Sequence, residues 1–342
     1  MGCCNKKTPD LWIGGNVIVD VVKRVDCYPE QGMLANITAM PQQSVGGCVT
    51  NTIIDLAKMN PDFGLGAIGL VGEDAYGDYV VGEMDRHGID TQRVKRTATA
   101  ATSFTDVMSV QGGERTFFHA RGANAQFSPA DVDLSTLKGK LLHMGYIMLL
   151  DGFDADDAEY GTVMARFLKQ VQDMGIKTSI DAVSDSMGNF RTKIPPALAY
   201  CNYAIINEIE CCAVWDLEPY NEDGSLNEGN IRLAMEKMAA CGVKDKVVVH
   251  CKPAGFCLDV PTGTFTRVNS LKLDPARIAG SVGAGDAFCS GCLYSIMQGY
   301  SDEDMLSYAS AAAAASLFAE NSVDGMLPAD QVWELAKTCP RL

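Results

Sequence analysis

Near its C-terminus the chain reads Gly280-Ser281-Val282-Gly283-Ala284-Gly285-Asp286-Ala287-Phe288 and runs on into CSGCLYSIMQGY, a stretch of helical character. A helix start leaves backbone N–H groups without partners, and the helix dipole adds partial positive charge there. Small residues let that backbone approach an anion closely. Gly283, Ala284 and Gly285 therefore suit a phosphoryl group in transit, with Asp286 placed to take the proton of an attacking hydroxyl. An aspartate is a weak base. Phosphoryl transfer, however, has a loose transition state and depends on positioning and charge more than on basicity. The same residues also suit a plain glycine turn with Asp286 capping a helix, and alone they do not decide between the two.

Other short motifs lack the context their chemistry needs. GLGAIG (64–69) has the glycine spacing of a dinucleotide loop, but it follows a helical stretch and enters a strand, the reverse of the required order. In CSGC (289–292) the pair falls after the helix has begun, with no second pair, which reads as packing. The 4 histidines show no metal-ligand spacing, and no G-x-x-x-x-G-K-[ST] loop exists. The start, MGCC, carries Lys6 where a myristoylation signal has Ser or Thr.

The elements that must position Asp286 follow from apolar patterning. LWIGGNVIVDVV (11–22) reads as one continuous buried strand. Residues 47–60 place Val49, Ile53, Leu56 and Ala57 on one helical face. FGLGAIGLVG predicts a strand, and AYGDYVVGEMDRHG a helix ended by Gly88. KLLHMGYIMLL, KTSIDAV, YAIINE and KVVVHC are short apolar strands, separated by helical stretches at 154–174, 188–199, 208–216 and 228–241; the last 60 residues read as mostly helical. Strands alternating with helices predict a three-layer α/β/α sandwich around a mostly parallel sheet. Segments at about 21–45 and 101–122, the second turning at Gln111-Gly112-Gly113, break the rhythm. They predict a small antiparallel β-sheet lid on a single domain spanning 1–342.

Composition bounds the partners. The chain has 342 residues, 47% hydrophobic and 21% charged, with net charge −15 and pI ≈ 4.7. So acidic a chain does not attract nucleic acid or an anionic membrane; it favours neutral substrates, or anionic ones carried with a metal. The 13 cysteines, many inside apolar runs, read as reduced thiols in a cytoplasmic protein rather than a disulfide framework. No run of 18 apolar residues is present to span a bilayer.

Six motifs, in order along essentially the whole chain, resemble the ribokinase-like family, the PfkB carbohydrate kinases. They are GNVIVD (15–20), SVGGCVTN (44–51), GLVGEDAYGDYV (69–80), RTFFHARGAN (115–124), NEIE (207–210) and SVGAGDAF (281–288). The resemblance implies transfer of the γ-phosphoryl group of ATP, with Mg²⁺, to a hydroxyl of a small sugar, with Asp286 as base and Gly283, Ala284 and Gly285 as the anion hole. It implies that Asn16, Asp20 and Asn51 bind sugar hydroxyls and that Gly46 and Gly47 bring backbone against the sugar. His119 and Arg121 then lie on the lid over the substrate, or are solvated strand residues. On the nucleotide side it implies Asn207, Lys252, Gly255, Ser281, Gly283 and Gly285, with Glu210 reaching Mg²⁺ through water. The strand carrying Asp181 is a place for further polar groups, and a homodimer through the lid is an expectation.

Two departures stand out. Where the family has Thr-x-Gly near the phosphates, this chain has His250 and Lys252; Lys252 then points to the triphosphate, or the loop is rebuilt. The family signature opens Asp-Thr, and that Asp helps to hold a monovalent cation; here Gly280-Ser281 opens it, so weak or absent K⁺ activation is expected. Two other readings remain. A nucleoside kinase of the same fold would need a slot for the base, from Tyr28, Phe104, Phe117 and Phe118. A non-catalytic sugar-binding regulator is disfavoured by the intact Asp286 and its glycines.

Overall fold

The computed structural model describes residues 7–110, 115–183 and 189–342; the Gln111-Gly112-Gly113 turn and the MGCC start lie outside the described residues. Along the central strands successive side chains enter opposite cores, as a two-residue period requires. Leu11 and Ile13 pack into one core and Trp12 into the other; Val248 opposes Val247 and Val249 in the same way. A sheet apolar on both faces must be covered on both. Helices Cys48–Lys58, Ala284–Gln298 and Asp302–Ser316 cover one side, and Val163–Asp173, Phe190–Leu198 and Glu228–Ala240 the other.

Among the described residues the large sheet has nine strands. Across it lie Thr264–Asn269, Ala254–Asp259, Lys246–His250, Tyr203–Asn207, Lys177–Ala182, Leu141–Ile147, Pro9–Gly14, Gly64–Gly72 and Asp90–Thr97. All neighbours are parallel except the first two junctions, where a hairpin is added antiparallel. Sequence patterning passed over that hairpin, although Pro261-Thr262-Gly263 marks its turn and Gly263 has φ +70°. A second sheet has the order Gln42–Gly46, Ile18–Val25, Phe104–Val110, Arg115–Ala120, with antiparallel outer pairs and a parallel central pair.

Two elements differ from expectation. The run 11–22 is not one strand: it breaks after Gly14, and its halves belong to different sheets. The Asn124 side chain bridges the break, accepting from the Val17 N–H and donating to the Val17 carbonyl. A side chain 107 residues away thus satisfies backbone that an apolar run assigns to a ladder. Likewise 154–174 is not one helix. Asp156–Asp157 pairs with Gly161–Thr162, and the helix starts only at Val163, capped by Thr162. Among the described residues no helix is long and apolar enough to cross a membrane.

Candidate active site

Asp286 lies in the first turn of the helix Ala284–Gln298, at the ends of the parallel strands. Its N-cap, Gly283, has φ +81°, and a Cβ there would lie 2.5 Å from the Ser322 side chain, so both backbone and space call for glycine. Asp286 is buried. Asn51 Nδ2 donates to its Oδ2 at 2.7 Å, and the Tyr146 hydroxyl lies 3.0 Å from both carboxylate oxygens. Burial pushes the carboxyl up to about 6; Asp181 adds to the rise, and the bonds from Asn51 and Tyr146 oppose it. The carboxyl therefore stands well above the ordinary carboxylate range.

Tyr146 reaches Asp286 from an unusual backbone. It has φ +56° at the end of the strand Leu141–Ile147, and Met148 has φ +86°. Such left-handed residues cost of order 1–3 kcal/mol each and persist where their surroundings hold them. Here the Tyr146 N–H donates to Asp181 Oδ1 while its hydroxyl donates to Asp286, so both ends of the residue are tied. These groups border a cavity of about 240 Å³, lined by Tyr146, Asp181, Asn207, Glu210, His250 and Asp286 among others.

The second sheet faces this cleft with a polar row. Ser44, Asp20, Thr105 and His119 stand directly opposite one another across its four strands, so they share one face. Thr105 Oγ1 lies 3.1 Å from His119 Nδ1. Burial pushes the Asp20 carboxyl up to about 7, opposed by the Thr105 hydrogen bond and raised further by the charge of Asp286. Gly46 makes room for Asp20: a Cβ there would lie 2.6 Å from the carboxyl carbon. Asn16 is fully buried; its Nδ2 donates weakly to the Tyr146 carbonyl at 3.5 Å. The side-chain oxygens of Asn16 and Asn51 are buried with no partner among the described residues.

Other nominated residues sit as follows. Gly47 is the N-cap of the helix that carries Asn51. Asn207 and Glu210 form a reciprocal capping box: Asn207 Oδ1 accepts from the Glu210 N–H at 2.8 Å and Glu210 Oε2 accepts from the Asn207 N–H at 3.3 Å, while Asn207 Nδ2 also donates to Glu210 Oε1 at 2.8 Å. Both also line the cavity. Arg121 is engaged with Asp151 and the Met148 carbonyl rather than with the Asp286 group. Gly255 packs against the Phe288 ring, and Ser281 is exposed in the turn before the helix. Lys252 is exposed at a hairpin turn; the neighbouring His250 instead lines the cavity beside Gly285 and lies over Phe288, ring centroids 5.0 Å apart. Burial pushes the His250 imidazole down to about 4, so it is neutral. Sequence reasoning passed over Tyr146, Ser44 and Thr105. It had no signal for the tyrosine, and Ser44 and Thr105 join Asp20 only through the register of separate strands.

Known structures share this architecture. The ribokinase of Arabidopsis thaliana complexed with ribose and ATP superposes with a TM-score of 0.79 at 19% identity, covering 96% of this chain and 99% of that one. The nucleoside kinase of Methanocaldococcus jannaschii, an archaeal member of the ribokinase family, gives 0.75 at 16%, covering 97% and 99%. In sequence, the ribokinase of Schizosaccharomyces pombe is 22% identical over 334 residues, 94% of this chain and 97% of that protein. The 5-dehydro-2-deoxygluconokinase of Shouchella clausii is 23% identical over 298 residues, 82% and 83%. A family match, together with these kinase relatives, makes the chain a phosphotransferase. Residues 13–329 match the pfkB family carbohydrate kinase profile, and the chain belongs to that family.

Proposed function

We propose that this carbohydrate kinase transfers the γ-phosphoryl group of ATP to a hydroxyl of a small sugar, with Asp286 as the base. The observation that carries the reading is the Asp286 carboxylate, held by Asn51 and Tyr146 at a helix N-terminus and open to the cavity. The acceptor hydroxyl gives its proton to Asp286 as its oxygen bonds to the γ-phosphorus, while the bond from that phosphorus to the bridging oxygen breaks and ADP leaves. The N–H groups behind Gly283 face the charge on the transferred group. Asp20 and the free side-chain oxygens of Asn16 and Asn51 offer acceptors for sugar hydroxyls. The small sheet acts as a lid that excludes water.

The oxygen donors of Asn207 and Glu210 at the cavity wall suit a hard, hydrated cation bound through its waters, since they already bond each other. When bound, Mg²⁺ neutralises phosphate charge.

The aromatic residues support a sugar over a nucleoside. Phe104 packs against Tyr76 with ring centroids 5.8 Å apart, and Tyr28 and Phe118 line a groove on the far face of the small sheet. Only Phe117 shares the face of His119 and Asp20. That far face also exposes Met33 and Ile37, which supports a homodimer through the lid; Ile37→Glu then shifts sedimentation to monomer. An ATP-consumption screen over sugars and nucleosides with Mg²⁺ tests the whole reading. Turnover with a sugar is expected. Turnover with nucleosides alone, or none at all, contradicts it.

A further inference from the structure

A second group of chemically competent side chains lies behind the proposed base. His143 sits within the strand Leu141–Ile147, Asp181 near the end of Lys177–Ala182, and Cys289 inside the helix Ala284–Gln298. They come from three elements far apart in sequence, yet all are buried, and one ligand atom from each lies within 4.8 Å of the others. His143 Nε2 is 3.4 Å from Asp181 Oδ2 and 3.7 Å from Cys289 Sγ. A tetrahedral zinc ion with Zn–N and Zn–O near 2.0 Å and Zn–S near 2.3 Å separates its ligand atoms by roughly 3.3–3.6 Å. The two measured edges are close to that spacing before any ion is present.

The surroundings orient the three ligands as an outer shell does. Ser179 Oγ lies 3.0 Å from His143 Nδ1. With the proton on Nδ1, the Nε2 lone pair points toward Asp181 and Cys289. The Tyr146 N–H occupies Asp181 Oδ1 and leaves Oδ2 for the group. Outer partners of this kind fix tautomer and carboxylate orientation at metal sites. Asp181 and Cys289 also line the 240 Å³ cavity, which gives an ion a way in and leaves a fourth position for water.

We propose that His143, Asp181 and Cys289 form a binding site for a thiophilic divalent cation of the Zn²⁺ class, distinct from the Mg²⁺ that accompanies a nucleotide. On binding, the Cys289 S–H bond breaks, its proton goes to solvent, and the thiolate pair forms the metal–sulfur bond; nothing is oxidised or reduced. The site rests on the three side chains and not on the kinase reading, so either can fail without the other.

The test is a titration of the metal-free full-length chain with Co²⁺ as spectroscopic probe and Zn²⁺ as competitor, with no kinase substrate present. One equivalent of Co²⁺ is expected to show thiolate-to-cobalt charge transfer and tetrahedral d–d bands, and to be displaced by Zn²⁺. Cys289→Ser should remove that equivalent's charge-transfer band. His143→Gln should weaken binding by at least about 100-fold, because losing an outer partner alone costs about 10–100-fold. Cys27→Ser, at an exposed thiol, should leave both unchanged. Should Cys289→Ser fail to fold, as circular dichroism would reveal, His143→Gln carries the test. A wild-type chain without thiolate-bound Co²⁺, or band and affinity retained in the folded variants, overturns the proposal.

Discussion

Two carboxylates share one cleft, and the molecule holds them in different ways. Asp286, itself buried, is fixed by the helix whose first turn it occupies, by a buried amide from a second helix and by the hydroxyl of the half-buried Tyr146 on a central strand. Asp20 stands in a row of short polar side chains on a four-stranded sheet whose outer residues, His119 among them, are exposed. A group that must meet a reacting atom gains from a rigid frame, because misplacement costs rate steeply. A group that recognises hydroxyls on an arriving substrate gains from an element able to close. On the function proposed above, the contrast puts chemistry on the central sheet and recognition on the small one.

The largest expected effect breaks the first half of that contrast. Asp286→Asn keeps the shape and removes the base; kcat should fall by about 10²–10⁴-fold with the sugar KM little changed. Near-wild-type kcat would remove Asp286 from its role. On the recognition side, Asp20→Ala loses hydrogen bonds to a charged acceptor, worth roughly 1.5–3 kcal/mol. The sugar KM should rise by about tenfold or more while the ATP KM stays within a small factor. An unchanged sugar affinity by calorimetry would mean that the polar row serves the fold and not the substrate.

Smaller effects sharpen the nucleotide side. Lys252 is exposed and no ion pair ties it among the described residues, so the proposed reading has it act on ATP at long range. Lys252→Met should weaken ATP a few-fold at low salt and less at high salt, as screening of exposed charges requires. Equal affinity at both ionic strengths would leave His250, beside Gly285, as the residue that shapes this wall. Smallest of all is the expected response to K⁺. A Cβ at Gly280 would lie 2.8 Å from the Ala319 carbonyl oxygen, so a carboxylate does not fit at this backbone position. Initial rates in KCl, NaCl and a bulky organic chloride should agree within about twofold, a difference of less than 0.5 kcal/mol in the barrier. A tenfold K⁺ advantage would show another cation ligand near Ser281.

What the chain reveals by itself is local. A glycine-led helix carrying Asp286 and an Asn207…Glu210 cap are each contained within a few residues, and their chemistry follows from helix ends. The alternating strands and helices are legible for the same reason, since each apolar period is short. What stays hidden depends on register and crossing. Asn51 meets Asp286 across 235 residues of sequence. His143, Asp181 and Cys289 carry no motif and converge only because two neighbouring parallel strands meet the helix Ala284–Gln298. Ser44 and Thr105 become partners of Asp20 only when four strands align. The break after Gly14 is invisible in an apolar run because Asn124, from a distant helix, supplies the missing backbone partners.

The central claim, that a buried aspartate whose pKa burial has raised acts as the base, is tested most directly by the pH dependence of kcat/KM for the sugar. Asp286 accepts a proton only when ionised; burial pushes its carboxyl up to about 6 and that of nearby Asp20 up to about 7. Activity is therefore full above both values and is lost as the pH falls through them. The two groups interact, so the apparent values belong to the pair. The Asp20→Asn variant should retain a single acid limb, with activity falling about tenfold per pH unit below about 6. A flat profile down to pH values near the ordinary carboxylate range, about 4, would contradict the assignment of Asp286 as base.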